Sequence, residues 1–369
     1  MTAVLIACGG TGGHLSPGIA IAEVLEQRNC QPVLLISRKQ VDSALIRKYP
    51  HLPFHKAPGR AFAGGLLGRI TALADMVKGF IFSCRLIHRY RPGLVLLFGG
   101  FLSLGLGLAA RLCGIPVALH EANCRPGRAV RLLKFLARRV YLPDGVDLGV
   151  TPDRVRYFGY PVRNEIQPIP KAEARKRLGL EVSGKLLVVI GGSQGAESLN
   201  RWVQEHFENL ADAGVSTYCL TGLGKEREDR VIRRSADGDS MTADFVPFSD
   251  NMGAVLSAAD LVVSRAGAGA IAEIIRCSVP AILVPYPHAA DDHQLANALA
   301  HEQLGAGIIL RQEDLQELID QVLLLLSDTC MLAGYKEKMQ SLRESDAAGQ
   351  TADDILFLSG SGIEGGKSR

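Results

Sequence analysis

The chain has 369 residues, enough for two domains that each bury a core. Hydrophobic residues make up 47% and charged residues 21%, a balance that excludes a disordered or fibrous chain. Its eight cysteines include no C-x-x-C pair, so a zinc site or a disulfide frame gives way to reduced, scattered thiols.

The net charge of +3 hides an asymmetry. Residues 1–160 hold 21 Lys and Arg against 8 Asp and Glu, and residues 161–369 hold 20 against 30. A cationic half and an anionic half point to different partners. The N-terminus lacks a basic region followed by an apolar run, so no secretion signal is expected.

The first apolar run, Val4 to Ala7, reads as a buried strand. Cys8-Gly9-Gly10-Thr11-Gly12-Gly13-His14 follows as a glycine-rich turn, and Pro17 to Leu25 has helical spacing. Strand, glycine turn and helix is the layout of a phosphate or sugar-nucleotide loop in an α/β protein. The spacing matches neither Gly-x-Gly-x-x-Gly with a distal acid nor a P-loop ending in Gly-Lys-Ser/Thr. His14 sits at the mouth of the turn, with a side chain whose chemistry suits neutral pH.

Further strands are expected at Val33–Ser37, Leu94–Phe98, Val117–His120 and Val155–Phe158, separated by helical stretches. Pro92 to Ala110 carries no charge and imitates a membrane span, but its five glycines divide it into a strand, a turn and a small-residue helix. Gly159-Tyr160-Pro161-Val162-Arg163 and Gln167-Pro168-Ile169-Pro170 break the pattern, so a linker is expected near 159–170.

The second half restarts the plan. Leu186–Ile190 reads as a strand, Gly191-Gly192-Ser193-Gln194-Gly195-Ala196 as a second glycine turn, and Ser198 to Asn209 as a helix. Strands follow at Ser216–Leu220, Leu261–Val263 and Ala281–Val284, and a helix at Asp346–Leu358. The expected fold class is α/β, with two doubly wound Rossmann-like domains facing across a cleft. The expected division is 1–160, 161–345, a C-terminal helix at 346–359 and a disordered tail at 360–369.

Five motifs then become recognisable together: Gly9-Gly10-Thr11-Gly12-Gly13-His14, His120-Glu121-Ala122-Asn123, Gly159-Tyr160-Pro161-Val162-Arg163, Gly191-Gly192-Ser193-Gln194-Gly195 and Gln294-Leu295-Ala296-Asn297-Ala298. In this order, over roughly residues 3–358, the chain resembles the MurG family of GT-B glycosyltransferases. Members transfer N-acetylglucosamine from UDP-N-acetylglucosamine to the C4 hydroxyl of undecaprenyl-pyrophosphoryl-MurNAc-pentapeptide (lipid I), with inversion, giving lipid II. The resemblance implies UDP-N-acetylglucosamine and lipid I as substrates, no cofactor, no metal, no nucleic-acid partner and a peripheral place on the anionic cytoplasmic face of the inner membrane.

It also implies roles for residues. His14 is the candidate catalytic base, with Glu121 as runner-up. Thr11, Gly12, Gly13 and Asn123 fall to substrate in the basic half, where Gly99-Gly100 should also meet the lipid pyrophosphate. Donor contacts fall to Arg163, Ser193, Ser249, Ala268, Gly269, Ala270, Glu273 and Gln294. Ala266-Gly267-Ala268-Gly269 leads into an expected helix from Ala270 to Cys277, whose N-terminus would offer N–H groups and a partial positive charge to the diphosphate. That resolves how an acidic half can hold a dianion. Glu273, one turn in, would accept from the ribose hydroxyls.

Two departures stand out: Ala270 where the family usually has Ser or Thr, and Phe101-Leu102-Ser103 where a tyrosine is common. His288, Asp291, Asp292 and His293 imitate a metal cluster, although GT-B enzymes typically work without one.

For the membrane, Leu66, Ile70, Leu73, Val77, Phe80, Cys84 and Ile87 recur at helical spacing beside Arg69, Lys78, Arg85 and Arg89. Arg128, Arg131, Lys134 and Arg138 make a second basic stripe. The alternatives are a UDP-sugar epimerase, a transferase with a soluble acceptor, or a non-catalytic UDP-sugar-binding scaffold.

Overall fold

The computed structural model describes residues 2–9, 12–37, 45–58, 66–192, 195–223, 229–343 and 346–360, with the backbone alone at 12 and 66–73. Gly10, Thr11, Ser193 and the tail beyond 360 lie outside the described residues. The chain divides into two compact units, Met1–Arg163 with Ser345–Arg369, and Asn164–Glu344.

The first unit holds a seven-stranded sheet ordered β3-β2-β1-β4-β5-β6-β7. Its strands are β1 (Ala3–Ala7), β2 (Gln31–Ile36), β3 (Phe54–Lys56), β4 (Leu94–Leu97), β5 (Val117–His120), β6 (Arg139–Tyr141) and β7 (Val155–Arg156). Every pairing is parallel. Helices therefore cover both faces, and the central strands carry no polar face. Alternation along β1 sends Val4 and Ile6 toward Leu15, Ile19 and Leu25, and Leu5 and Ala7 toward Leu106, Ala109 and Leu133. All are fully or almost fully buried, and each large aliphatic side chain so buried contributes about 1.5–3 kcal/mol.

The expected strand–turn–helix at Pro92 to Ala110 is β4 followed by the helix Gly100–Leu112. Among the described residues no single helix is long and apolar enough to cross a membrane. The C-terminal helix, Ala347–Leu358, packs on the helix Gly12–Gln27 of this first unit. Asp354 holds it in place: its carboxylate pairs with Arg139 Nε at 2.7 Å and accepts from the Tyr141 hydroxyl at 2.9 Å. This explains β6, which the sequence pattern did not reveal. Arg139 looks wrong for a strand, yet its charge is buried against Asp354.

The second unit repeats the plan, ordered β10-β11-β9-β8-β12-β13-β14. The strands are β8 (Lys185–Ile190), β9 (Val215–Leu220), β10 (Asp229–Arg234), β11 (Ser240–Val246), β12 (Leu261–Ser264), β13 (Ala281–Leu283) and β14 (Gly307–Ile309). All pairings are parallel except β10 with β11. The edge strand β10 is exposed along its whole length, so it carries no buried-strand pattern to read. The core gathers Leu187, Val189, Val263 and Ile282 beneath Trp202, Phe207 and Leu325.

Candidate functional site

In each sheet the strand order reverses at one point, and ligands of open α/β sheets bind outside the carboxyl ends of the strands there. In the first unit the reversal lies between β1 and β4, so the turns after Ala7 and Leu97 flank it. A Cβ on Gly9 would stand 2.2 Å from Ser37 N, so only glycine lets this turn pass the end of β2.

The helix expected at Pro17 begins five residues earlier, at Gly12. Proline lacks the N–H that the Gly13 carbonyl would receive, which makes Pro17 look like a helix start. Tyr160 supplies the missing donor, its hydroxyl 3.3 Å from Gly13 O. His14 therefore stands within the first helical turn, half-buried, and a Cβ on Gly100 would lie 3.9 Å from its Cε1 and Nδ1. The first helix and the turn after β4 thus meet at His14.

His120 ends β5, its ring tilted at 35° to that of Phe98 with centroids 4.9 Å apart. Burial, helped by repulsion from a charged His14, pushes its pKa down to about 3. His120 is consequently neutral at pH 7.

Glu121, the runner-up base, is committed elsewhere. Its Oε1 accepts from the backbone N and the Nδ2 of Asn123, both at 2.9 Å, and its Oε2 accepts from Gly127 N at 2.8 Å. A buried carboxylate receiving three N–H bonds shapes the loop that carries Asn123. Arg163, which the sequence assigns to the donor-side linker, is buried and is the last residue of the first unit's leading segment.

In the second unit the reversal lies between β8 and β12. Gly195 has φ +70°, and a Cβ there would lie 1.8 Å from Thr221 O. Across the reversal, the helix expected from Ala270 begins at Ala268. Its N-cap, Gly267, has no side chain, and the first helical bond is Ile271 N to Gly267 O at 3.0 Å. The N–H groups of Ala268, Gly269 and Ala270 therefore belong to the orphan set of a helix start. The helices at Met252, Thr329 and Ala347 are instead capped by Asn251, Asp328 and Asp346. Asn297 Nδ2 holds the preceding carbonyl, Ala266 O, at 3.1 Å.

Glu273 is half-buried, one turn into this helix. Gln294 lies in the first turn of the helix His293–Gln303, its Oε1 accepting from Tyr286 N at 2.9 Å. Ser249 is half-buried in the loop after β11, where its Oγ accepts from Asn251 N at 3.2 Å. Among the described residues no three His, Cys, Asp or Glu side chains converge to hold a metal ion.

The structure thus gathers Gly12, Gly13, His14 and Gly100 within the first unit, and Ala268, Gly269, Ala270 and Glu273 on one helix of the second. Arg265 escaped the sequence reading, and Tyr160 entered it only within the motif Gly159-Tyr160-Pro161-Val162-Arg163, with no link to Gly13. A charged residue directly after a buried apolar strand, Leu-Val-Val-Ser-Arg, was the available signal for the first. Nothing local marks the contact of Tyr160 with Gly13.

Two family models match the chain: the glycosyltransferase family 28 N-terminal domain over residues 4–142 and the C-terminal domain over 186–351. A protein of Opitutus terrae, described as a UDP-N-acetylglucosamine--N-acetylmuramyl-(pentapeptide) pyrophosphoryl-undecaprenol N-acetylglucosamine transferase, is 47% identical, covering 96% of this chain and 94% of that one. One of the same description from Parasynechococcus marenigrum is 36% identical, covering 97% and 99%. Among solved structures, MurG of Acinetobacter baumannii superposes with a TM-score of 0.70 at 26% identity, covering 97% of this chain and all of that one. The calicheamicin glycosyltransferase CalG4 reaches 0.70 at 15% identity, covering 98% of each chain, a likeness of fold alone. With both domain models matched and end-to-end identity to these transferases, the chain belongs to glycosyltransferase family 28, in its MurG branch.

Proposed function

We propose that the protein transfers N-acetylglucosamine from UDP-N-acetylglucosamine to lipid I, forming lipid II for peptidoglycan. The observation that carries this reading is the 47% identity, over 96% of the chain, to the Opitutus terrae transferase. The second unit takes the donor. The diphosphate meets the N–H groups and partial positive charge at Ala268, Gly269 and Ala270. With no hydroxyl at Ala270, the backbone carries that contact. Glu273 accepts from the ribose, Gln294 reads the sugar hydroxyls, and Arg163, Ser193 and Ser249 complete the nucleotide contacts.

The first unit takes the acceptor. The turn containing Thr11, Gly12 and Gly13, with Gly99-Gly100, faces the lipid pyrophosphate, and Asn123 lies toward the transferred sugar. His14 takes the proton of the acceptor C4 hydroxyl as its oxygen attacks the anomeric carbon. The configuration inverts, and UDP leaves with the bonding pair.

Mass spectrometry of the lipid after incubation with UDP-N-acetylglucosamine tests the reading. The expected product is lipid I carrying one additional N-acetylhexosamine. Conversion of the sugar nucleotide to an epimer, with the lipid unchanged, contradicts it.

Docking on the anionic membrane surface belongs to the same reading, with the face redrawn. Side chains 66–73, including Leu66, Arg69, Ile70 and Leu73, lie outside those described. Phe80, Cys84 and Ile87 of the expected stripe pack toward the core. Val77 of the same stripe is exposed, together with Met76 and Ile81, on the helix Leu66–Tyr90. That helix packs on Gly100–Leu112, which exposes Leu108 and Leu112 and packs in turn on Arg128–Leu133. Leu132 and Phe135 stand out there, Phe135 76% exposed.

The second basic stripe is not one helix, because the helix ends at Leu133, before Lys134 and Arg138. Lys78, Arg85, Arg111, Arg128 and Arg131 are exposed among these apolar side chains. Each basic group near an anionic surface adds about 1 kcal/mol. In flotation with anionic vesicles the protein is expected to rise at low salt and to remain behind at high salt. Equal, salt-insensitive binding to neutral vesicles contradicts the electrostatic part.

A further inference from the structure

We propose that the exposed edge strand β10 is a self-association surface, pairing antiparallel with β10 of a second copy of this chain about a two-fold axis at Val231. The pairing joins the second-unit sheets of the two copies into one continuous sheet.

β10 ends its sheet, and among the described residues no strand lies beyond it. Every residue from Asp229 to Arg234 is exposed. Such an edge presents unpaired N–H and C=O groups, and it accepts a further strand unless its side chains forbid one.

The hairpin with β11 shows which groups are free. Ser235 N donates to Asp239 O at 2.8 Å where the hairpin closes. Arg233 opposite Met241, Val231 opposite Ala243 and Asp229 opposite Phe245 follow at intervals of two. Bonded and non-bonded positions alternate along an antiparallel ladder. Asp229, Val231 and Arg233 therefore turn their backbone groups toward β11, and Arg230, Ile232 and Arg234 turn theirs outward.

The side chains decide what can lie alongside. The charge of Arg230 is answered within the hairpin, where its Nε pairs with Asp244. Arg234 Nη1 donates to Gly238 O at 3.3 Å in the turn. Asp229 and Arg233 form no ion pair among the described residues. They share one face of the strand, on either side of Val231. Ile232, 60% exposed, leaves apolar surface beside them.

This pattern complements itself in one register. Outward residues must face outward residues, so the axis passes through a residue and not between two. An axis at Arg230 or Arg233 sets that arginine against its own copy. An axis at Ile232 sets Arg230 against Arg234 of the partner subunit. An axis at Val231 sets Asp229 against Arg233 of the partner subunit, and the reverse, at non-bonded positions where facing side chains lie closest. Val231 then meets the partner's Val231. Arg230 and the partner's Ile232 exchange backbone hydrogen bonds, as do Ile232 and the partner's Arg230. Opposite charges facing across strands stabilise a pair and like charges destabilise it, so the charges select this register. An isologous contact uses up both edges, so it stops at two copies.

Sedimentation equilibrium of the full chain over a concentration series tests the proposal, beside the variants Asp229→Arg, Arg233→Asp and Ile232→Pro. The parent's mass is expected to rise with concentration toward twice the 39.6 kDa of one chain and no further. Asp229→Arg and Arg233→Asp each set like charges against each other at both pairs, and each alone should associate at least about tenfold more weakly. Mixed in equal amounts they should regain the parent's association, because the arginine introduced in one faces the aspartate introduced in the other. Ile232→Pro removes an outward N–H that β11 does not use, so the hairpin persists and association is lost. Melting temperatures equal to the parent's confirm that these exposed substitutions leave the fold intact.

A parent that remains at the mass of one chain throughout overturns the proposal, even if the strand captures an added acidic peptide. So does a dimer that survives all three variants, or a mixture that associates no better than its components. Should Ile232→Pro fail to fold, the exchange of charges decides alone.

Discussion

Replacing His14 by alanine is expected to lower kcat by about 10²–10⁴-fold with little change in donor affinity. The group belongs to the first unit, half-buried in the first turn of the helix Gly12–Gln27 and close to Gly100. Its neighbours narrow the choice of base. Burial holds His120 neutral and far from the working range, with a pKa of about 3. Glu121 spends both carboxylate oxygens on Asn123 and Gly127, so a proton taken there would cost the loop three hydrogen bonds. His14 remains as the imidazole beside the glycine turn, a side-chain type suited to general-base work.

If it is the base, the acid limb of the rate profile, where the base becomes protonated, should vanish in the variant along with the turnover. Turnover on lipid I and calorimetric donor binding check both parts. An alanine variant with near-full turnover would falsify the assignment and leave His14 as a structural residue of the turn.

Exchange of Glu273 for glutamine is expected to raise the donor KM by about one to two orders of magnitude. Glu273 lies one turn into the helix whose uncapped start at Ala268 is assigned to the diphosphate. A ribose attached to that diphosphate must pass within reach of it. A carboxylate accepting from two vicinal hydroxyls makes charge-assisted bonds of about 1.5–3 kcal/mol each, partly offset by repulsion from the dianion. Glutamine keeps the shape and weakens both contacts. The preference for UDP-N-acetylglucosamine over its 2′-deoxyuridine analogue should therefore narrow, because the lost contact is shared with the missing hydroxyl. A carboxylate serving only the helix dipole gives another result: some thermal stability is lost and discrimination is unchanged. Comparing kcat/KM for both donors in both proteins separates the two.

Much of the architecture was legible because parallel strands buried on both faces are continuous apolar runs, as in β1, β4, β8 and β12. What escaped had its stabilising partner far away in the chain. The strand Arg139–Tyr141 needs Asp354, more than 200 residues on, before a buried arginine makes sense. The early start of the first helix needs Tyr160 to satisfy Gly13 O. The exposed edge strand Asp229–Arg234 has no buried face to betray it.

The same logic governs the sites. Glycine turns announce themselves locally, so the turns after β1, β8 and β12 could be read directly. Helical spacing could not tell the core-facing Phe80, Cys84 and Ile87 from the exposed Met76 and Ile81, since which side meets the sheet is decided by packing.

The central claim, that the chain moves a sugar from a nucleotide to a lipid-linked acceptor, is tested most directly by UDP release. The purified protein is given UDP-N-acetylglucosamine with and without lipid I, and UDP is measured over time. UDP should accumulate only when lipid I is present, in step with its consumption. Release at the same rate without lipid I, or none in its presence, contradicts the account.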